Sequence, residues 1–209
     1  AWGADTTRLA SVLSAAHDSV ERIDSLVQHR AALDPLDSLQ RELRQYTGMR
    51  ATPESLAAGY ALDRAALALT GVADSALFDL GGLYLWIGPA GAVTHRIVGI
   101  PDPDNSLDAL GWVDLLGGSI RTQSRSAERP GRARSVTVLA GDALSAHAWS
   151  IAFFAIGCDS AFAVAARLGG RGGVGRIGVV CADSARVRWT PDLEKRVTVP
   201  ESSRPAPAP

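Results

Sequence analysis

Residues 145–157, SAHAWSIAFFAIG, constrain the fold more than any other stretch. At helical spacing they are apolar nearly all the way round, and a helix of that kind is stable only when other elements enclose it. One imidazole, His147, stands near its start. Ile151, four residues on, lies on the same helical face. Such spacing often builds a site, but this pair offers one nitrogen and one hydrocarbon.

The rest of the chain supplies enclosing elements. Residues 6–28 keep apolar side chains at helical spacing (Leu9, Val12, Leu13, Val20, Ile23), giving a long amphipathic helix. Asp34-Pro35 and Thr52-Pro53 each join a capping residue to a proline suited to the first helical turn. The first opens a helix through Leu36, Leu39 and Leu43 that Gly48 stops, and the second a helix over 54–70 that Gly71 ends. Short β-like pieces follow at 75–80, 83–88, 92–100, 111–116, 119–124 and 134–140. After the apolar helix come a helix over 159–169 and strands over 176–182 and 185–190. The expected class is α+β: helices packed on a mostly antiparallel or mixed sheet made largely of sequence neighbours. Three parts are expected: an N-terminal helical segment 1–47, an α+β core 48–199, and an extended Pro-rich tail 200–209.

Composition narrows the functional classes. The 209 residues are 46% hydrophobic, enough for one core with a terminal appendage. The formal charge of -1 gives no global pull toward nucleic acid or lipid headgroups. No run approaches the roughly 18 apolar residues that cross a bilayer. Lys195 is the only lysine, which confines lysine chemistry to one position. The two cysteines, Cys158 and Cys181, form neither a zinc pattern nor a CxxC motif, and buried free thiols are expected ahead of a disulfide. The first residue is Ala1, which fits a mature exported chain or a trimmed one; export is the expectation.

Several motifs have plain readings. Gly170, Gly172 and Gly175 match G-x-G-x-x-G, but a helix precedes them and a strand follows, the reverse of a phosphate cradle. They read as a helix-to-strand connection. His17 and His29 read as solvated side chains and His95 as an ordinary sheet residue. Gly81-Gly82 admits close approach of a backbone or a flat ligand, or else a tight turn. There is no G-x-S-x-G elbow and no HExxH, and a Ser/His/Asp triad depends on geometry that sequence does not display.

Two blocks, ESLAAGYALDRAALALTGVADSALFDLGGLYLWIG and RSVTVLAGDALSAHAWSIAFFAIG, resemble the best-marked blocks of the ApbE family, the FAD:protein FMN transferases. The similarity runs from about Thr52 to Thr190, and RIDSLVQ (22–28) is similar to the family's leading helix. The resemblance implies an exported or lipid-anchored protein that binds FAD and Mg²⁺ and transfers FMN to a Thr or Ser of subunits in membrane redox complexes. Carried over by residue, Gly59, Tyr60, Asp63 and Arg64 match a Lys-Gly-Tyr and Asp-Arg motif in which Ala58 replaces the lysine. Gly81 and Gly82 match a Gly-Gly pair beside the flavin. His147 and Ile151 stand where the family places the Asp and Thr that help hold magnesium. Thr122 matches the first residue of a Thr-Ser-Gly turn, with Gln123 and Ser124 replacing the others. Two strap segments are compressed to LDPLDSLQRELRQYTGMR and RSAERPGRAR, which leaves any remaining cleft shallow.

Mg²⁺ takes oxygen ligands, and neither imidazole nor isoleucine supplies one. The resemblance so altered implies a pseudoenzyme with no catalytic residue, no metal and no expected cofactor, and a vestigial flavin cleft at Gly59, Tyr60, Gly81 and Gly82. His147 is expected to be a hydrogen-bonded side chain, with ligation of a softer ion the other option. The expected role is a structural subunit of a periplasmic, membrane-peripheral redox complex, respiratory or photosynthetic, docked on other protein subunits through the N-terminal helix and the Pro-rich tail. The alternative is a flavin-binding protein or a divergent Mg-dependent transferase using FAD.

Overall fold

A computed structural model describes residues 10, 14, 17–18, 34–69, 72–88, 95–105, 107–125, 132–169, 177–184 and 186–200. Its elements, in chain order, are α1 (Asp34–Thr47), α2 (Pro53–Ala68), β1 (Ala76–Leu80), β2 (Leu83–Ile87), β3 (Arg96–Pro101), β4 (Ala109–Leu115), β5 (Gly118–Ser124), β6 (Ser135–Ala140), α3 (Ala143–Ile156), α4 (Cys158–Gly169), β7 (Gly178–Ala182), β8 (Val187–Trp189), a 3-10 turn (Pro191–Leu193) and β9 (Val197–Thr198). The α+β expectation holds. Of the long N-terminal helix, Ala10, Ser14, His17 and Asp18 are helical and exposed. The rest of that helix, His29, the Gly170–Gly175 connection and residues 201–209 of the tail lie outside the described residues.

The strands form a six-stranded sheet in the order β1-β2-β5-β6-β7-β8 and a three-stranded sheet in the order β3-β4-β9. Every pairing is antiparallel. The sequence suggested one sheet of neighbours, but the β3–β4 hairpin leaves it and pairs with β9 instead. The reason is burial on both faces. Strand β6 (SVTVLA) is buried at all its positions. Val136 and Val138 face the helices, while Leu139 faces a second core shared with Val180, Trp86, Ile120 and, from the small sheet, Ile100 and Val113. The molecule is therefore three layers, helices over the large sheet over the small sheet.

Helix α3 lies against α1, α2, α4 and the large sheet. Trp149 and Phe153 are fully buried, their rings 5.2 Å apart, with Leu36, Leu39 and Leu43 of α1 in the same core. The Thr52 signal is realised as a capping box: Thr52 accepts from the Ser55 backbone N–H, and Ser55 accepts from that of Thr52. Helix α2 approaches α3 through Gly59, where a Cβ would stand 2.7 Å from the Leu144 Cα and 2.8 Å from the Ala143 carbonyl oxygen.

The expectation of free thiols is overturned. Cys158 and Cys181 form a disulfide with Cα atoms 5.6 Å apart. Cys181 lies on the helix-facing side of β7 and Cys158 begins α4, which packs on that strand. The 23-residue separation in sequence carried no trace of this proximity.

Two outcomes follow from this packing. Closing a loop of that length contributes about 3 kcal/mol, so reduction should lower the denaturant midpoint; an unchanged midpoint would show the bond contributes nothing. Gly59→Ala should cost about 1–3 kcal/mol through overpacking at backbone atoms, read in the same unfolding experiment.

Candidate functional site

The site is laid out by one face of α2. Ser55, Gly59 and Asp63 recur every four residues, and as α2 advances from Ser55 to Asp63 their contacts on α3 recede from His147 to Ala143. Asp63 accepts from the first N–H groups of α3, Ala143 N at 2.7 Å and Leu144 N at 2.9 Å. Asp142, the N-cap of α3, accepts from Ser145 N at 2.7 Å, and its carbonyl accepts from Ala146 N. The N–H groups of the first three residues of the apolar helix are thus satisfied by side chains, and that of the fourth makes the first intrahelical bond. Burial pushes the Asp63 carboxyl up to about 6 against the pull of its two backbone donors, with the Asp142 charge adding to the rise.

At the other end of that face, His147 Nε2 lies 2.9 Å from the Ser55 carbonyl oxygen. A carbonyl only accepts, so Nε2 carries a proton, and the neutral form of the ring here is the Nε2–H tautomer. Burial, then the nearby Arg121 charge, lower its pKa, opposed by the Ser55 hydrogen bond. Its Nδ1 is buried without a hydrogen-bond partner among the described residues. Ile151, Phe154, Gln123 and Arg121 complete a cavity of about 410 Å³ beside it.

Gly81 and Gly82 form the two-residue turn between β1 and β2. Both have positive φ, 58° and 78°, the conformation a tight antiparallel hairpin requires. Asp79 accepts from Gly82 N at 2.9 Å, and the Gly81 carbonyl accepts from Arg121 Nη1. This turn borders a cavity of about 610 Å³ that also meets Tyr84, Ile120, Arg121, Thr122 and Gln123. Thr122 Oγ1 pairs with Thr137 Oγ1 at 2.8 Å, facing the small sheet. Arg121 and Gln123, on the helix side of β5, are common walls of both cavities.

The structure therefore brings Gly81 and Gly82 to one side of Arg121, and His147 and Ile151 to the other. Gly59 is buried in the helix crossing. Tyr60 borders a separate hollow of about 430 Å³ between α1 and α2, with Glu42, Asp63, Arg64 and Asp142. Burial raises the Glu42 carboxyl there. His95 pairs with Asp114 at 2.6 Å at the start of β3. A larger hollow, about 1000 Å³ between α4 and β8, is lined by Phe162, Val187, Trp189 and Pro191 and carries none of the predicted residues. Sequence reading missed Arg121. Its only trace was a charged residue between Ile120 and Thr122 in a strand-like piece.

The sequence pattern of the ApbE family matches residues 1–172. The chain belongs to the ApbE family. That match starts before Thr52 and stops short of Thr190, so it takes in the N-terminal segment. The fold resembles that of the ApbE protein from Thermotoga maritima, with a TM-score of 0.50 and 19% identity over 97% of this chain and 78% of that one. It also resembles the flavin transferase ApbE from Vibrio cholerae, at 0.51 and 17% over 92% of this chain and 78% of that one. No curated protein matches the sequence.

The groups this ApbE-family fold implies can be set against the residues present. Magnesium does not fit the residues that the resemblance places at its positions: Nε2–H of His147 is a donor spent on a carbonyl, Ile151 has no ligand atom, and a guanidinium lines the same cavity. An organic ring has room at the turn, since a Cβ on Gly81 would meet nothing within 4 Å and one on Gly82 would meet only Arg121 Nη1, at 3.7 Å.

The Asp63 shift sets a pH dependence. The folded carboxyl holds its proton up to about 6 and the unfolded one only to about 3.9. Its stabilising contribution is therefore full below the unfolded value and lost as pH rises through the folded one. Asp63→Asn should lower stability by about 1 kcal/mol at neutral pH by leaving one N–H uncapped. Denaturant titrations from pH 4 to 7 should show the wild type gaining on that variant with acidification; a constant difference would contradict the shifted carboxyl.

Proposed function

We propose that this ApbE-family protein does not transfer FMN and serves as a structural or interaction subunit of an extracytoplasmic, membrane-peripheral redox assembly, respiratory or photosynthetic. The observation that carries the reading is the state of His147: its proton is committed to the Ser55 carbonyl, and Ile151 and Arg121 stand beside it. Transfer of a phosphoryl-type group depends on cations stabilising charge on the phosphate oxygens. Each such donor is typically worth ~3 kcal/mol, and here Ala58, His147 and Ile151 replace a lysine, an aspartate and a threonine. The location outside the cytoplasm is supported by the buried disulfide, which forms and persists in oxidising compartments. Among the described residues no helix is long and apolar enough to cross a membrane. The amphipathic stretch 6–28 and the tail 200–209 are the docking elements of this reading.

A second reading has one observation in its favour. The cavity of about 610 Å³ at Gly81–Gly82 has the size of an ordinary small-molecule pocket, so the protein binds flavin, or transfers it by a rebuilt site using FAD.

Incubation with FAD, millimolar MgCl₂ and a Thr-containing acceptor peptide should yield no covalent FMN by mass spectrometry. The native protein should co-purify with larger partners at fixed stoichiometry. Covalent FMN on the peptide would replace the first reading by the second, and isolation as a free monomer would remove the subunit role.

A further inference from the structure

The hollow of about 1000 Å³ between α4 and β8 joins an aromatic floor to an acidic rim. Phe162 and Trp189 are half-buried there and Pro191 is exposed. Large apolar side chains left partly in water on one surface mark a place of contact. Trp189 Nε1 donates to Glu194 Oε2 at 2.8 Å, so the indole is held by its edge and offers its face. The rim is negative. Arg188 pairs with Asp159 at 2.7 Å and with Asp183 at 3.0 Å, which balances its charge twice over. Asp192 and Glu194, both exposed, line the same hollow. Carboxylates beside an indole face suit an arginine followed by prolines, with the guanidinium on the acids and the pyrrolidine rings on the aromatic surface.

We infer that residues 201–209 of this chain, ESSRPAPAP, dock in this hollow, with Arg204 at Asp192 and Glu194 and the prolines on Trp189 and Phe162. These nine residues lie outside the described ones, and their sequence supplies both parts of the match. With three residues per turn of polyproline II, Arg204 and Pro207 fall on one face. Reach is sufficient. Glu194 lines the hollow, and the six residues from there to Pro200 span at most about 20 Å. The tail beyond spans about 28 Å at about 3.1 Å per residue. Val199 shares a core cluster with Val187, Leu193 and Trp189, so the tail leaves the fold from the core that backs the hollow. A short tether holds the segment at roughly millimolar effective concentration, so a weak contact is enough to keep it docked. The contact belongs to the free chain: in the assembly proposed above the tail exchanges this hollow for another subunit, and co-purification tests that step separately.

The test uses the full chain with Ala208→Cys carrying a thioether-linked nitroxide, on another face of the tail than Arg204 and Pro207. Cys158 and Cys181 are joined, so the new cysteine is the one reactive thiol. The readout is paramagnetic broadening of the Trp189 indole N–H in the NMR spectrum, assigned by its absence in Trp189→Phe, with the ascorbate-reduced label as reference. Broadening should be strong at Trp189, independent of protein concentration and weakened by NaCl. Arg204→Asp should lower the docked-to-free ratio about fivefold, Asp192→Arg should do the same, and the two together should restore it. Arg204→Asp changes the tail alone, so misfolding of an Asp192 variant leaves the inference open to refutation. Broadening that is absent from Trp189, unchanged in Arg204→Asp or lost on dilution overturns it, the last by giving the tail to a second copy of the chain.

Discussion

A helix that is apolar on every side has to satisfy its first N–H groups inside the protein, and α3 does so with carboxylates from two places. Asp142 caps from its own chain, and Asp63 reaches across from α2 to take the two leading donors. That bond requires the helices to touch, and Gly59 lets them touch. Once α2 is held in this way, Ser55, two turns earlier on the same face, presents its carbonyl to His147. A capping requirement at one end of the crossing thus fixes a hydrogen bond at the other.

The hydrogen bond decides the chemistry. The bond to the Ser55 carbonyl places the proton on Nε2, while burial and the neighbouring guanidinium, against the pull of that bond, disfavour a second proton on the ring. The cavity then draws its polarity from Arg121 on the sheet, with Gln123 alongside donating to Ser150 of α3 at 3.4 Å. The family's fold persists because its supports are independent of this exchange: Val136, Val138, Trp149 and Phe153 pack the helix side of the large sheet, while Leu139 and Val180 pack the other. Changing residues 147 and 151 leaves those layers intact.

Much of this was legible in sequence because it is local. Thr52-Pro53 marked the start of α2 and Gly48 the end of α1, each set by the preferences of two or three neighbouring residues, while Gly81-Gly82 admitted a tight turn as one of two readings. His147 and Ile151 stood out because a polar ring interrupts an apolar helix. What was not legible depends on distant partners. The departure of β3 and β4 into a second sheet follows from the apolar lower face of β6 and β7. The Cys158–Cys181 bond follows from α4 packing on β7. Arg121 reads as an ordinary surface residue of a strand until the Gly81 turn and α3 are placed on either side of it. The roles of Gly59 and Asp63 in the helix crossing were hidden for the same reason, since their partners lie about 80 residues away.

The direct test of this account is the ¹⁵N NMR titration of the His147 ring, with and without MgCl₂. The account predicts a neutral Nε2–H imidazole whose pKa lies below the ordinary 6.5 and whose shifts do not respond to magnesium. A pKa above that value, an Nδ1–H tautomer, or shifts that move on adding magnesium would contradict it.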